Sequence, residues 1–494
     1  MPFSLLIAIF IAFGFDFSAD NVAISAAEVH VRSLETLGLV VAVGIMAFAL
    51  SKWVAVRVAW HAGATAAIRH SYGVICRVVD ILTLIVYAWI IYGVDWRGVV
   101  ERGLGLRNAI LVDEFLILLP FLVAQFLSWW GLYAAESALR ASHVRTTRGR
   151  YLILRARQAL GLVLPVALIF SLGQDLFRRQ LPEMAESPSF QLGWMAVMGT
   201  LVLILAPAFV RLTWPTQPLS RGPLRDRLER LSKRFRFRCT DILVWDTGQA
   251  LVNAGVTGAL PWFRYVLLTD ALVEHLTDHQ VEAVFGHEVG HISHRHLSFF
   301  GFFFLGSVGV LALAREVAVR YLELPFLTAG WWTSAGGGDS PLLLAVHGSV
   351  ALICLALYFL FAFGYLSRRF ERQADVFGCR AVSCGSPDCP PHADLNANSG
   401  ADVDWPNLCP AGIRIFASAL SDVASLNGME RESWWAWRHG SIGRRIAFLE
   451  ALEGKPHAER RFQRNIQWLR GALVVALATA VILAMRTGAL AHLH

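Results

Sequence analysis

The sequence predicts a mainly α-helical, polytopic membrane protein with eight or nine spans and a small α+β domain outside the bilayer. Of its 494 residues, 55% are hydrophobic and only 16% are charged, whereas about a quarter of residues are charged in an ordinary soluble protein. The mean hydropathy is +0.50, and the apolar residues are concentrated in long runs. Between residues 211 and 298 the chain is polar instead, and the stretches ILVW and YVLL, separated by Gly, Asn and Pro, predict short strands.

The apolar runs approach the roughly 20 residues that span a bilayer. They cover residues 37–56, 81–94, 115–132, 160–172, 192–210, 299–314, 342–366 and 472–485. The shorter run 3–15 is interpreted as a further span, because it lacks the basic residues with which a signal peptide begins. The alternative, buried helices of a large soluble enzyme, explains so many long apolar runs poorly.

The basic residues indicate how the chain is oriented. Segments 140–157 and 211–238 are rich in arginine, whereas segments 16–36 and 174–190 are mixed or acidic. The positive-inside rule places the arginine-rich segments in the cytoplasm, which predicts a bacterial-type inner membrane protein whose polar domain faces the cytoplasm. The net charge of +7 does not predict nucleic-acid binding, because these arginines flank membrane spans. The lipid bilayer is the expected partner, and the sequence carries no signal for an oligomeric state.

The stretch FGHEVGHISHRH at residues 285–296 contains the motif HExxH. In this motif two histidines bind zinc and the glutamate acts as a general base on zinc-bound water. These residues are here His287, His291 and Glu288. The motif alone also fits a polar helix face that is rich in histidine, so this alternative remains open.

A helix is expected to carry the motif. Thr277 and Gln280 have the spacing of a capping box, and no proline follows them within the motif. Gly286 and Gly290 weaken a helix slightly. Both glycines would suit the close approach of a neighbouring segment, and chance is the alternative explanation.

One straight helix cannot supply a third histidine ligand. A helix advances about 100° and 1.5 Å per residue, so His287 and His291 share a face. On the same helix His296 falls about 180° from His287, and His294 lies about 10 Å further along the axis. The ligand nitrogens of one zinc ion lie within about 4 Å of one another. The third ligand must therefore come from elsewhere in the chain.

Two acids follow the apolar run 342–366 in the stretch SRRFERQADVFG. Glu371 and Asp375 are four residues apart, which places them on one face of a helix. A carboxylate is a normal third ligand in a catalytic zinc site of the His₂Glu type, and a nearby acid can hold the second ring nitrogen of a ligand histidine. Taken alone, the pair also fits a solvated face beside the membrane.

Together these segments resemble a known family. HEVGHISHRH, SRRFERQADVFG and the upstream NAGVTG are similar to the integral-membrane gluzincin zinc metallopeptidases, which include the CAAX prenyl endopeptidases and the HtpX-type membrane proteases. HGSIGRRIAFL matches a further family element, with glycine where the family usually has proline. The resemblance covers roughly residues 220–450 and implies a zincin-like catalytic fold.

The resemblance also implies roles for individual residues. The zinc ligands would be His287, His291 and Glu371, the catalytic residues Glu288, Asp375, His439 and Arg445, and the substrate-binding residues Asn253, Ala254, Gly255 and Val256. Glu288 would be the base, and Asp375 would support a ligand histidine. His439 and Arg445 would stabilise the oxyanion, and the substrate would pair with Asn253–Val256 as an edge strand. His296 matches a recurrent family histidine and is assigned to packing or to support of a ligand, whereas His294 is expected to be solvated.

The expected domains follow from the spans and motifs. They are the N-terminal transmembrane helices 1–210, a first catalytic segment 211–298, two transmembrane helices 299–366, a second catalytic segment 367–470 and a last transmembrane helix 471–494. Four cysteines cluster in the second catalytic segment at Cys379, Cys384, Cys389 and Cys409. A second metal site, disulfides and free thiols all remain open for them, since their spacing is not a standard zinc pattern.

The expected function is that of a zinc-dependent membrane endopeptidase. It would hydrolyse peptide bonds of membrane-associated or misfolded polypeptides through general-base activation of zinc-bound water. One alternative is a CAAX-type processing protease for prenylated C-termini. Another is a transporter or receptor with a structural zinc, because Asp80, Asp113 and Glu114 lie in or beside apolar runs, where ionisable groups often mark a transport path.

Overall fold

The computed structural model describes most of the chain. The described residues are 3–13, 24–61, 66–107, 109–139, 147–161, 163–185, 188–249, 251–321, 357–384, 408–429, 432 and 439–486. Most of the predicted span 342–366 lies outside these residues, as does Cys389. Every structural statement below refers to the described residues.

Helices dominate the described part of the chain. The α-helices are α1 (Phe3–Phe13), α2 (Ala26–Trp60), α3 (Ala66–Tyr92), α4 (Val112–Leu139), α5 (Arg148–Leu160), α6 (Val163–Gln180), α7 (Pro188–Thr213), α8 (Pro223–Arg234), α9 (Asp270–His275), α10 (Asp278–Ser293), α11 (His296–Tyr321), α12 (Gly364–Ala381), α13 (Pro410–Leu426), α14 (Ile442–Leu452) and α15 (Pro456–Arg486). Short helical turns lie at Trp96–Gly98, Val99–Gly103, Pro182–Ala185, Pro261–Phe263 and Phe359–Phe363. The prediction of a mainly α-helical protein is confirmed.

Several helices are long and apolar enough to cross a membrane. By length and composition these are α2, the Ser71–Tyr92 part of α3, α4 and α15, and a fifth results if α5 and α6, bent by 49°, form one span. Shorter apolar helices cover Ser4–Phe13, Ile204–Thr213 and His296–Leu311. The prediction of a polytopic membrane protein is confirmed. The count of eight or nine spans stays a prediction, since several of the expected runs are described only in part.

The chain divides into two compact units. The first contains Met1–Leu219, Cys239–Asn253 and Thr257–Ala271, and the second contains the remaining residues. In the first unit α2 and α4 pack closely, because a Cβ atom at Gly131 would lie 2.7 Å from the backbone nitrogen of Phe48. A buried cluster on α1, α3 and α4 includes Leu5, Tyr87 and Phe121. The helices of this unit therefore pack on one another and do not stand alone in the bilayer.

A small mixed sheet follows the first helices. Its strands are β1 (Thr216–Pro218), β2 (Asp241–Trp245), β3 (Ala254–Thr257) and β4 (Tyr265–Thr269), in the order β1-β2-β4-β3. β1 pairs with β2 in antiparallel fashion, and β2 pairs with β4 in parallel, with Asp241 opposite Tyr265. The predicted strands ILVW and YVLL are thus confirmed as β2 and β4, and β3 is an edge strand of the sheet.

The core of the second unit is built by helices α10 to α15. Each of α11 to α15 contributes at least one nearly fully buried apolar side chain to a single cluster. In helix order, these side chains include Phe303, Phe370, Phe416, Leu449 and Ile466. Burying a side chain of this size contributes about 1.5–3 kcal/mol relative to leaving it exposed. The helix with the HEVGH motif and the helix with Glu371 are therefore held in one common core.

The helix α10 begins as the sequence predicts. Thr277 is its N-cap, its Oγ1 atom accepts from the backbone N–H of Gln280, and the side chain of Gln280 accepts from the backbone N–H of Thr277. The helix ends at Ser293, and Arg295 then adopts the left-handed conformation with φ of 54°. The assumption of one straight helix through His296 is therefore wrong. The turn starts a new helix at His296, and this residue does not point away from the motif.

Small residues allow α10 to approach α12 closely. A Cβ atom added at Gly286 would lie 2.4 Å from Cβ of Ala381, and one at Gly290 would lie 3.2 Å from Cα of Ala374. On the other helix, a Cβ atom at Gly378 would lie 2.8 Å from the backbone oxygen of Ala283. Close approach therefore explains the two glycines in the motif helix better than chance does.

Gly286→Ala is expected to destabilise the protein, because the new methyl group would collide with Ala381. Overpacking of this kind costs about 1–3 kcal/mol, which outweighs or cancels the gain in helix propensity of roughly 1 kcal/mol. Thermal unfolding of the purified protein in detergent measures the effect. Gly301→Ala on α11 is the matched control, since an added Cβ atom there meets no atom within 4 Å. Unfolding midpoints that rise equally in both variants would contradict the packing argument.

Candidate metal centre

Three metal-ligand side chains converge in the second unit. The Nε2 atoms of His287 and His291 are 3.2 Å apart. Glu371 places Oε2 at 3.7 Å from Nε2 of His287 and Oε1 at 3.8 Å from Nε2 of His291. One ligand atom from each residue lies within 4.8 Å of the other two. The donor set and its spacing fit one zinc ion of the His₂Glu type, in which bonds of about 2.0–2.2 Å leave a fourth position for water.

Asp375 and Arg445 fix the ring of His287 on the side away from the other candidate ligands. Nδ1 of His287 lies 3.0 Å from Oδ1 of Asp375, so Nε2 is left to face the other ligands. Arg445 binds the same carboxylate with two nitrogens, Nε at 2.9 Å from Oδ2 and Nη2 at 2.5 Å from Oδ1. Although burial alone would raise the pKa of Asp375, the charge of Arg445 and the contact with His287 lower it below its usual value. Asp375 is therefore ionised and fixes the ring of His287.

The carboxylate of Glu371 also has two cationic or polar neighbours. Nδ1 of His439 lies 2.9 Å from its Oε1 atom, and Nη1 of Arg445 lies 3.5 Å from its Oε2 atom. Burial opposes ionisation, but the hydrogen bond from His439 and the charge of Arg445 hold the pKa of Glu371 well below its usual range. A third ligand that is already ionised suits a divalent cation.

Glu288 differs from Glu371 in its electrostatic surroundings. Burial raises the pKa of Glu288 to about 7, because the attraction of nearby positive groups does not offset the loss of hydration. A carboxylate with a pKa near the working pH can both accept and return a proton. The two glutamates therefore suit two tasks, Glu371 that of a permanent ligand and Glu288 that of a base.

His291, the second candidate ligand, contacts His296, a residue that the sequence places on the opposite helix face. Because of the turn at Arg295, Nδ1 of His296 lies 2.9 Å from Nδ1 of His291. Nε2 of His296 lies 3.1 Å from Oε1 of Gln373, and the ring stacks on Phe370 with centroids 4.3 Å apart. His296 thus contacts a candidate ligand directly instead of lying on the opposite face. His294 is half-buried beside Phe377.

Three residues in this neighbourhood were missed by the sequence interpretation. They are Gln373, Gln463 and Arg470. Gln373 lies between Glu371 and Asp375 but about 200° around the helix from Glu371, so the spacing that predicts the metal face excludes it. Its Oε1 atom accepts from Arg470 and its Nε2 atom donates to Gln463, and both partners lie on α15. No motif marks Gln463 or Arg470, and their contacts depend on the tertiary fold.

The remaining predicted site residues lie as follows. Ala254, Gly255 and Val256 belong to the edge strand β3, and the backbone N–H of Asn253 donates to Oγ1 of Thr269. Their role in binding substrate stays a prediction.

Two of the four clustered cysteines, Cys379 and Cys409, are buried. The described cysteines do not join the converging metal-ligand side chains. The second metal site also stays a prediction, since Cys389 lies outside the described residues.

Comparison with known proteins agrees with this geometry. Residues 218–453 match the family model of peptidase family M48. This range includes both halves of the candidate centre, from the edge strand β3 through His287 and Glu371 to Arg445. The match therefore falls on the part of the chain in which the resemblance was recognised from motifs.

Individual proteins are similar to a part of the chain. The probable CAAX prenyl protease 1 of Schizosaccharomyces pombe is 28% identical over 194 residues, which cover 37% of this chain and 38% of that protein. The protease HtpX homolog of Moorella thermoacetica is 29% identical over 212 residues, covering 42% of this chain and 65% of that protein. The chain thus matches less than two thirds of the length of either relative.

A solved structure can also be superposed on the chain. The crystal structure of S. mikatae Ste24p gives a TM-score of 0.49 at 18% identity and covers 83% of this chain and 98% of that chain. The motifs and the family model remain the basis for classification. Within this chain, the similarity to peptidase family M48 extends over residues 218–453.

Proposed function

We propose that the protein is a zinc-dependent endopeptidase of the membrane that hydrolyses peptide bonds in membrane-associated or misfolded polypeptides. The observation that carries this proposal is the convergence of His287, His291 and Glu371 next to Glu288. When bound there, zinc would polarise the substrate carbonyl and make water a better nucleophile. The proposal involves one catalytic zinc ion, held by His287, His291 and Glu371.

In our proposal Glu288 moves the proton that the reaction requires. It takes a proton from the attacking water while the water oxygen bonds to the scissile carbonyl carbon. It then returns this proton to the amide nitrogen, so that the carbon–nitrogen bond breaks and the amine leaves. A pKa of about 7 allows Glu288 to serve first as the base and then as the acid.

His439 and Arg445 have different surroundings, and we divide their tasks accordingly. The guanidinium of Arg445 is buried and lies on Asp375 and Glu371, which it holds in place. The side chain of His439 is 57% exposed and contacts Glu371 through Nδ1. Of the two predicted oxyanion partners, we assign the contact with substrate to His439, because its ring can be reached from solvent.

The substrate is proposed to bind as an extended segment along Asn253–Val256. β3 stands at an edge of the sheet, and an added strand gains affinity from backbone hydrogen bonds with little demand on side chains. This favours broad specificity.

We propose that segments 211–298 and 367–470 are the two parts of the catalytic domain. They lie between the predicted transmembrane segments 1–210, 299–366 and 471–494.

The ligand assignment predicts different effects on bound zinc for substitutions at Glu371 and at His294. Glu371→Ala is expected to lower bound zinc sharply, because the carboxylate is the ligand contributed by α12. His294→Ala is the matched control and should retain about one zinc ion per chain, since His294 lies outside the converging group. Metal analysis of the purified variants measures both. A normal zinc content in Glu371→Ala would refute the assignment.

The base assignment predicts a loss of activity without a loss of metal. Glu288→Gln should retain zinc, because Glu288 is not among the converging ligands. Its turnover should fall by about 100- to 10,000-fold, the usual contribution of general acid–base catalysis. Zinc content and peptide hydrolysis are measured on the same preparation. If Glu288→Gln turned over at the normal rate with full zinc, another residue would have to be the base.

We further propose that the catalytic segments face the cytoplasm of a bacterial-type cell, since arginine-rich segments 140–157 and 211–238 flank the predicted spans. Single cysteines introduced by Ser142→Cys and Ser340→Cys in a cysteine-free chain report this. In intact cells an impermeant thiol reagent should label position 340 and spare position 142. The reverse labelling would overturn the orientation and favour disulfides among the clustered cysteines.

The substrate class can be tested by direct competition between two candidates. The named relatives include a CAAX prenyl protease, which makes processing of prenylated C-termini the second candidate function. The purified enzyme is given a farnesylated peptide, its unmodified twin and a destabilised membrane protein, with Glu288→Gln as the inactive control. We expect cleavage of the destabilised protein and little difference between the two peptides. Strong preference for the farnesylated peptide, with the protein left intact, would support the second candidate instead.

A further inference from the structure

A continuous set of contacts leads from the second ligand histidine to the last helix. Nδ1 of His291 lies 2.9 Å from Nδ1 of His296, and Nε2 of His296 lies 3.1 Å from Oε1 of Gln373. Nη2 of Arg470 lies 3.2 Å from the same oxygen of Gln373. We call His291, His296, Gln373 and Arg470 the orienting chain.

Arginine fixes the direction of every hydrogen bond in the orienting chain. A guanidinium has only donors, so the atom of Gln373 that faces Arg470 must be the carbonyl oxygen. That oxygen can only accept, so Nε2 of His296 must carry a hydrogen. A neutral ring satisfies both contacts of the buried His296, since its nitrogens face an amide oxygen and another imidazole. A neutral imidazole has one N–H group, so Nδ1 of His296 is an acceptor.

The consequence reaches the metal centre. Because Nδ1 of His296 accepts, Nδ1 of His291 must donate to it. The other nitrogen of His291, Nε2, then has a free lone pair, and this is the atom that converges with His287 and Glu371. On the other ligand histidine the same selection is made by Asp375, a carboxylate. His296 and the amide of Gln373 thus select the tautomer of His291, as the carboxylate of Asp375 does for His287.

Neighbouring contacts hold the orienting chain in place. The ring of His296 lies parallel to Phe370 at an angle of 4°. The guanidinium of Arg470 lies over the same phenyl ring, 4.6 Å from its centroid. Gln373 is also anchored through Nε2, which donates to Oε1 of Gln463 at 2.5 Å. The amide of Gln373 thus has a partner for each of its ends.

We propose that His296, Gln373 and Arg470 are positioning residues that hold His291 in the tautomer able to bind the metal. The helix α15, which carries Arg470 and continues into the last predicted transmembrane segment, would thereby contribute to metal affinity. The inference rests on the proposed zinc site and extends it to residues that do not touch the ion. Hydrogen-bond partners of ligand histidines typically change metal affinity by about 10- to 100-fold. The orienting chain is expected to have an effect of this size.

The experiment separates hydrogen bonding from packing at His296. His296→Phe keeps an aromatic ring on Phe370 but removes the acceptor, whereas His296→Asn loses the ring but retains an oxygen at the place of Nδ1. The affinity of the metal-free protein for zinc is measured by competition with a coloured chelator. His296→Phe should bind zinc about 10- to 100-fold more weakly, and His296→Asn should remain close to the unchanged protein. His294→Phe, on the same turn, is the control and should also remain close.

Two further variants test the more distant residues and cover the case in which His296→Phe does not fold. Gln373→Met preserves side-chain length but cannot accept, and Arg470→Met removes the donor that fixes the direction. Both should weaken zinc binding, and the visible absorption of the cobalt-substituted protein should change because the ligand ring is no longer held. Neither measurement uses a peptide substrate.

The outcomes distinguish this inference from the proposed function. Equal zinc affinity in His296→Phe, Gln373→Met and the unchanged protein would overturn the orienting chain and leave the zinc site intact. A loss in His296→Asn as large as that in His296→Phe would assign the effect to ring packing and would also overturn it. Failure of the unchanged protein to bind zinc would instead refute the proposed function itself.

Discussion

The candidate centre depends on how closely two helices approach each other. His287 and His291 lie on α10 and Glu371 lies on α12, so the distance between the helix axes sets the distance between the ligands. Metal–ligand bonds tolerate deviations of only about 0.2 Å. At Gly286 a single methyl group would already collide with Ala381. Position 286 therefore requires glycine, because no larger residue fits between the two helices. The lower helix propensity of glycine is the cost of this close contact.

Charge neutralisation follows from the same packing. Two buried carboxylates, Glu371 and Asp375, face one buried guanidinium, that of Arg445. Removing one partner from a buried group of this kind typically costs about 3–5 kcal/mol, because the remaining charge is left unpaired. The group as it stands keeps an excess of negative charge. This excess favours a cation between the candidate ligands and explains why the guanidinium of Arg445 is tolerated so near them.

The sequence predicts the parts of this centre that depend on local spacing. The helical face of His287 and His291, the capping of α10 at Thr277 and the strands β2 and β4 all follow from patterns a few residues long. Motif resemblance adds Glu371, Asp375 and Arg445, which the structure brings together. The resemblance also singles out His296, but its contact with His291 could not be predicted from spacing. It depends on Arg295, whose left-handed backbone turns the chain, and arginine carries no signal for that conformation.

The residues of the orienting chain lie far apart in the sequence and are therefore synthesised at different times. Gln373 follows His296 by 77 residues, and Arg470 follows Gln373 by another 97. At translation rates of roughly 5–20 residues per second, the second interval alone lasts on the order of 5–20 s. During this time the ribosome-bound chain already contains every predicted metal ligand but lacks the last helix. If the orienting chain acts as proposed, the candidate centre would bind metal about 10- to 100-fold more weakly until α15 has been made.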